Sequence, residues 1–250
     1  MALPESALIG RDAELAVLEA LLADTAAGRG GAVLVEGEPG IGKTALLEAA
    51  LAGAQDLGCQ VLRGACDELT QRFPLSAMLG ALGAREDSGD PRRAAAARAL
   101  SSPGNAGGLG ARLAAGDPVM AAVEQLVGLV DRLCADGPVV LVVEDLHWAD
   151  EASLVLMHRL SRAAAQLPLL LAVSCRPVPT PPGLNQLRGE MRRSSSGGLI
   201  ALDGLSTPEV ARLARELLGR PPGERLAERL ASASLSISTF ATFATTASAA

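Results

Sequence analysis

Residues Gly37-Glu38-Pro39-Gly40-Ile41-Gly42-Lys43-Thr44 set three glycines, a lysine and a hydroxyl in the spacing G-x-x-x-x-G-K-T. That combination suits phosphate. Glycines let the backbone turn tightly and approach phosphate oxygens with no Cβ in the way. The successive N–H groups of residues 40–44 would then converge on one concavity, and a helix beginning near Lys43 would add its positive N-terminal end. The Lys43 ammonium would reach the β- and γ-phosphates, and the Thr44 hydroxyl would ligate a Mg²⁺ that bridges them. Lys43 is the sole lysine of the chain, since its 22 basic residues are 21 Arg and this one Lys. A planar guanidinium fork does not replace a compact ammonium in a tight phosphate site, so the exception is informative.

A second set of residues has the chemistry to work beside such a loop. The apolar run 139–143 ends in Glu144 and Asp145. A carboxylate there can hold Mg²⁺, and its neighbour can orient and deprotonate water. By position Glu144 is the metal carboxylate and Asp145 the catalytic one. Asp is commoner first and Glu second, and the reversed lengths would slow hydrolysis. Arg176 closes the run LPLLLAVSCR (167–176), a strand predicted to lie between the phosphate-loop strand and the acidic one, which would aim a guanidinium at the γ-phosphate; an Arg that caps the strand or pairs with a carboxylate is the other reading. His147 follows the acidic pair and fits either the γ-phosphate region or a structural role. Trp148, the only Trp, reads as a packing anchor and His158 as structural.

These side chains need elements to hold them. Leu15, Leu18 and Leu22 recur at helical spacing over 12–27, and Gly28 to Gly31 end that helix. Strands are predicted at 32–36, 59–64, 138–145, 167–176 and 198–202, and helices at 43–54, 118–135 and 151–166. Residues 85–117 read as an irregular, mobile insertion with one helix over 91–100, and 177–197 as a Pro/Gly/Ser loop holding the basic residues Arg188, Arg192 and Arg193. Strands that are apolar on both faces and alternate with helices indicate a parallel sheet covered on both sides. From 204 onward the pattern is helical. Residues 232–250 carry no charge and form a low-complexity tail.

Composition narrows the class. With 250 residues, 49% hydrophobic, there is enough chain for one sizeable core. The net charge of −6 disfavours direct DNA binding by this chain. Cys59, Cys66, Cys134 and Cys175 form no CxxC pair, so they read as small core residues and not as a zinc or disulfide framework. The longest apolar runs fall far short of the ~20 residues that span a bilayer, and no signal peptide is visible, so the expected location is cytoplasmic with no membrane contact.

Taken together the segments resemble the AAA-type ATPase domain of STAND regulators, in particular the large ATP-binding regulators of the LuxR type. LIGRDAELAVLEALL is similar to the family's opening box, GEPGIGKTALL to its phosphate loop (Walker A), VVLVVEDLHWADEASL to its acidic-strand signature and LLLAVSCRP to its arginine-bearing sensor strand. RGACDELTQRFPLSAMLGAL and LIALDGLSTPEVARLA resemble the segment after its second strand and the start of its helical lid. The resemblance implies a three-layer α/β P-loop NTPase fold with a five-stranded parallel sheet in the order 5-1-4-3-2. It further implies Gly10 and Arg11 beside an adenine pocket, although helix capping at 10–12 explains them equally. The expected organisation is an ATPase domain over 1–203, a partial lid over 204–231 and the tail over 232–250, without the helical repeats or helix-turn-helix of whole family members. The expected cofactors are ATP and Mg²⁺, and the expected partners are nucleotide and, through self-association, other proteins. The expected function is a slowly hydrolysing ATP switch in a signalling or transcriptional regulator. A non-hydrolysing nucleotide-binding scaffold and a P-loop small-molecule kinase remain as alternatives.

Overall fold

The computed structural model describes residues 8–101, 118–178, 180–193 and 197–218. The tail over 232–250, the end of the lid and the part of the 85–117 insertion after Ser101 and before Pro118 lie outside the described residues.

Five short strands form one parallel sheet: β1 (Gly31–Glu36), β2 (Gln60–Ala65), β3 (Val139–Glu144), β4 (Leu169–Cys175) and β5 (Gly197–Ala201). Their order across the sheet is β2-β3-β4-β1-β5, the expected order read from the other edge. β4 therefore lies between β1 and β3, with Glu36 opposite Cys175 and Val143 opposite Val173.

Helices α1 (Asp12–Ala26) and α2 (Lys43–Ala50) cover one face, where Leu18, Leu22, Leu46 and Leu47 pack on Val33, Val35, Val140 and Val142. The other face carries α3 (Ser76–Ala81), α5 (Pro118–Asp136), α6 (Glu151–Ala163) and α7 (Pro182–Met191). There Leu126, Leu129, Leu156, Leu160 and Leu187 pack on Leu34, Leu141, Leu171 and Val173. The alternation of strand residues between two apolar layers explains why β1, β3 and β4 read as unbroken apolar runs. All four cysteines are free and buried in these layers. Burial pushes the thiols up, that of Cys66 to about 12 and those of Cys134 and Cys175 to about 11.

Three segments differ from the sequence expectations. Helix α4 (Pro91–Ser101) is the helix foreseen in the insertion, but it docks on α5 and buries Ala94 and Ala97. Alanines give a periodic pattern little hydrophobic contrast, so this packing was not visible in the composition. Residues 182–191 are helical where a loop was expected. Pro182 occupies the first turn, where its missing N–H costs nothing, and Leu184, Leu187 and Met191 recur on one buried face. Short α3 was not foreseen. Helix α8 (Thr207–Leu218) opens with Ser206, whose amide and hydroxyl both donate to Glu209 Oε2, the acidic half of a capping box.

Leu187 is fully buried, so Leu187→Ala should lower the unfolding free energy by about 2–5 kcal/mol in urea denaturation. A loop side chain at this position would give a change within about 0.5 kcal/mol.

Candidate functional site

β1 ends at Glu36 and α2 begins at Lys43, so Gly37 to Gly42 must reverse the chain in six residues. Gly40 and Gly42 do this with φ of 72° and 102°, conformations that side chains rarely adopt. A Cβ on Gly37 would stand 2.8 Å from Ile41 Cγ2, so the loop also needs a glycine at its entry. Only two amides near the turn are used locally, Ile41 N–H to the Glu38 carbonyl and Gly37 N–H to the Cys175 carbonyl. Among the described residues the amides of Gly40, Gly42, Lys43 and Thr44 donate to nothing. Four unpaired N–H groups at a helix N-terminus make an anion cradle.

Lys43 is 8% exposed, and its ammonium donates to the carbonyls of Gly37 (2.8 Å) and Glu38 (3.0 Å). Burial lowers its pKa, the Asp145 carboxylate raises it and the Arg176 guanidinium lowers it again. The lysine, Asp145 and Arg176 thus share one electrostatic neighbourhood although they are far apart in sequence. Across this space Thr44 Oγ1 donates to Glu144 Oε2, joining the two oxygens assigned to the metal. Among the described residues no cluster of three or more acids, His or Cys could cage a metal unaided. Two hard oxygens and a row of unpaired amides fit a Mg²⁺ that takes its other ligands from phosphates and water.

The strand ends divide the acidic pair. Glu144 is the last residue of β3, whereas Asp145 leaves the strand with φ 53° and ψ 42°. A left-handed backbone costs a non-glycine residue about 1–2 kcal/mol, with Asp among the more tolerant types. The Asp145 amide donates to the Ser174 hydroxyl at 3.2 Å. A single 3₁₀ turn, Leu146–Trp148, then brings His147 back under the site. The His147 side chain is fully buried, with Nδ1 3.9 Å from Asp145 Oδ1. Neither ring nitrogen has a hydrogen-bond partner among the described residues. Burial lowers its pKa below the ordinary 6.5, opposed by Asp145 and assisted by Arg176 and Lys43, so the ring is neutral at pH 7.

The remaining candidates are placed as follows. Arg176 follows β4 directly and forms no ion pair among the described residues. Arg11 is 5% exposed and donates to the Asp203 carbonyl at 2.7 Å, with Glu14 3.4 Å away, so it fastens the N-terminal box to the chain leading into α8. Gly10, with φ 73°, lies against Glu209 of that helix. Glu38 and Pro39 form the exposed outer rim of the loop and Ile41 its half-buried underside. Trp148 is partly buried against the larger core cluster, as an anchor would be. His158 pairs with Glu190 at 3.0 Å and touches Gln186.

Some contacts were invisible in sequence. Arg188 was read with Arg192 and Arg193 as part of a solvated loop. Instead it sits on α7 and pairs at 2.8 Å with Glu36, the residue before Gly37. Asp150 accepts from Ser153 N–H as the cap of α6 and from Leu75 N–H at 3.1 Å. It thereby holds the left-handed Leu75 (φ 59°) in the segment between β2 and α3. Ser174 had one signal, a lone hydroxyl in a strand otherwise apolar on both faces.

The profile of the AAA ATPase domain matches residues 7–173, which spans β1 to β4 with the phosphate loop and the acidic pair. The chain belongs to the AAA ATPase domain family. It is 30% identical over 193 residues to an uncharacterized protein of Rhizobium meliloti (strain 1021), an alignment that covers 68% of this chain and 18% of that protein. Two solved structures are similar in fold. The ORC1 protein of Aeropyrum pernix, in complex with DNA, matches at TM-score 0.52 and 21% identity over 91% of this chain and 58% of that one. Cdc6p of Pyrobaculum aerophilum matches at TM-score 0.56 and 18% identity over 97% and 61%. The chain therefore spans less than two thirds of each of these proteins. Family and fold together make this a nucleotide-binding domain of AAA type. No helix among the described residues is long and apolar enough to cross a membrane.

Two outcomes follow from the site's electrostatics and bonding. A histidine buried neutral stabilises the fold fully above about pH 6.5, and that stability is lost as pH falls, because the unfolded ring takes up a proton first. The melting temperature should therefore drop between pH 7.5 and 5.5, and the drop should shrink in His147→Gln. Asp150→Ala strands the Leu75 amide and uncaps α6, so it should cost about 1–3 kcal/mol of unfolding free energy.

Proposed function

We propose that this chain binds Mg-ATP in the loop 37–44 and hydrolyses it slowly, as the switch of a signalling or transcriptional regulator of the STAND type. The observation that carries the reading is the row of unpaired amides at Gly40, Gly42, Lys43 and Thr44, with the Thr44 hydroxyl in contact with Glu144. The amides and Lys43 would hold the β- and γ-phosphates. Thr44 and Glu144 would hold Mg²⁺, whose contribution is to neutralise phosphate charge and draw it onto the leaving oxygens. Asp145 would orient the attacking water and take its proton, with the neutral His147 ring buried 3.9 Å from it. Arg176 would face the γ-phosphate and distinguish ATP from ADP. Arg11 would set the adenine end, by fixing the N-terminal box against the chain before α8.

The regulator context rests on the resemblance of the H-W-A-D segment and its flanks. The division into an ATPase domain over 1–203 and a lid beginning at 204 belongs to the same reading. So does a cytoplasmic location, with nucleotide and protein partners, self-association among them, and with no DNA or membrane contact by this chain. A non-hydrolysing scaffold is the second reading. It is favoured by one observation, the Lys43 ammonium engaged with the Gly37 and Glu38 carbonyls inside the loop.

Calorimetry with Mg-ATP tests the binding step. Lys43→Ala should raise the Kd by about 10–100-fold, the loss expected for hydrogen bonds to a charged group. Asp145→Asn should keep binding and lower turnover by about 10²–10⁴-fold, the usual range for general-base catalysis. Wild-type turnover equal to that of Lys43→Ala would select the scaffold.

A further inference from the structure

The ladder between β3 and β4 runs from Val139 opposite Leu169 to Val143 opposite Val173 and stops. On its other side β3 continues one pair further, to Glu144 opposite Ala65. β4 also continues, but towards β1, with Ser174 opposite Val35 and Cys175 opposite Glu36. At this point β3 leaves β4 while β4 stays with the strand of the phosphate loop. The first residue past the divergence is Asp145, whose amide no longer has a backbone partner in the sheet. It donates instead to Ser174 Oγ at 3.2 Å.

We infer that Ser174 is a positioning residue, which fixes the left-handed backbone of Asp145 and through it the direction of the catalytic carboxylate. The inference rests on the hydrolysis reading for its consequence, though not for the contact. Ser174 is 1% exposed in the strand Leu-Leu-Leu-Ala-Val-Ser-Cys, where a hydroxyl is costly to bury without a partner. Alanine would fill the same place without that cost, so packing does not account for the oxygen. The amide, for its part, leads into a buried 3₁₀ turn and would be unsatisfied without it. With the bond in place, φ 53° turns the chain sharply and leaves the Asp145 side chain half-exposed at the mouth of the site, beside Lys43 and His147. Without it, β3 can extend by one residue, and an extended Asp145 would point its carboxylate elsewhere, since successive strand side chains alternate in direction. The Ser174 hydroxyl has no hydrogen bond to the phosphate loop, Thr44 or Glu144 among the described residues, so ATP affinity should not depend on it.

The test compares wild type, Ser174→Ala, Ser174→Thr, Asp145→Asn and the Ser174→Ala/Asp145→Asn double variant. ATP turnover, KM, calorimetric Kd and the hydrogen-exchange rate of the Asp145 amide are measured for each. Ser174→Ala should lower kcat by about tenfold and speed Asp145 amide exchange by a similar factor, with KM and Kd within about twofold. Ser174→Thr, which keeps the hydroxyl, should restore most of both. In the Asp145→Asn background the alanine should have no further effect on turnover, because Ser174 acts only through that carboxylate. Unchanged turnover and unchanged exchange in Ser174→Ala would overturn the inference, as would an equal fractional loss of turnover with and without Asp145. Should wild-type turnover match that of Lys43→Ala, the hydrolysis reading fails by itself. The exchange rate then decides alone whether Ser174 holds Asp145.

Discussion

Parallel pairing of β4 with both β1 and β3 brings three strand ends to one edge of the sheet, and the chemistry of this chain depends on that arrangement. Each strand delivers a different function at its C-terminal end. β1 delivers the loop with its unpaired amides, β3 the acidic pair and β4 the hydroxyl and guanidinium of Ser174 and Arg176. Parallel strands all finish on the same side, so no further folding is needed to assemble them. An antiparallel neighbour would have carried one set of residues to the opposite edge. The binding crevice of an open α/β sheet lies at the carboxyl ends of its strands for this reason.

The sheet can carry this load because both of its faces are dry. The residues of β1, β3 and β4 alternate between two apolar layers, so a shift of register by one would move each strand's side chains to the wrong layer. Register is thereby locked, and so is the relative height of Gly37, Glu144 and Arg176. The price is that polar groups inside must seek partners within the protein, which the His147 ring nitrogens do not find among the described residues. The pairs that do form close to the site cross between elements: Arg188 on α7 to Glu36 on β1, Asp150 at α6 to the Leu75 amide, Arg11 to the Asp203 carbonyl. Each ties an outer segment to a strand end or to a turn beside it.

What could be read from sequence follows the range of the interactions. The phosphate loop was legible because its requirements are local: glycine where φ is positive, an ammonium at the helix start, a hydroxyl next to it. The strands and their order were legible from unbroken apolar runs and from resemblance. Helix α7 was missed because two prolines and a glycine at its start look like a loop, while Leu184, Leu187 and Met191 give only three apolar points over a short span. Arg188 and Ser174 were passed over for a different cause. Their partners lie 152 and 29 residues away, and no spacing rule links them. A single sequence records which residues are polar, but the sheet order decides which of them meet.

The same logic explains how two adjacent acids come to differ. Glu144 is still paired through β2 and presents its carboxylate to Thr44, in the fixed frame of the sheet. Asp145 is one residue beyond that frame, in a conformation that strand pairing does not support. The division matches what the two roles would need. A metal carboxylate must stay in place through the cycle, whereas a carboxylate that handles water must be aimed only when the site is complete. Placing the boundary of the β3–β4 ladder just before this pair gives one acid the rigidity of the sheet and leaves the other to a side-chain contact, Ser174 on its amide. Side-chain contacts of that kind can be made or broken with little disturbance to the core. The acid held by the sheet has no such freedom, because displacing it would break the β2–β3 pairing.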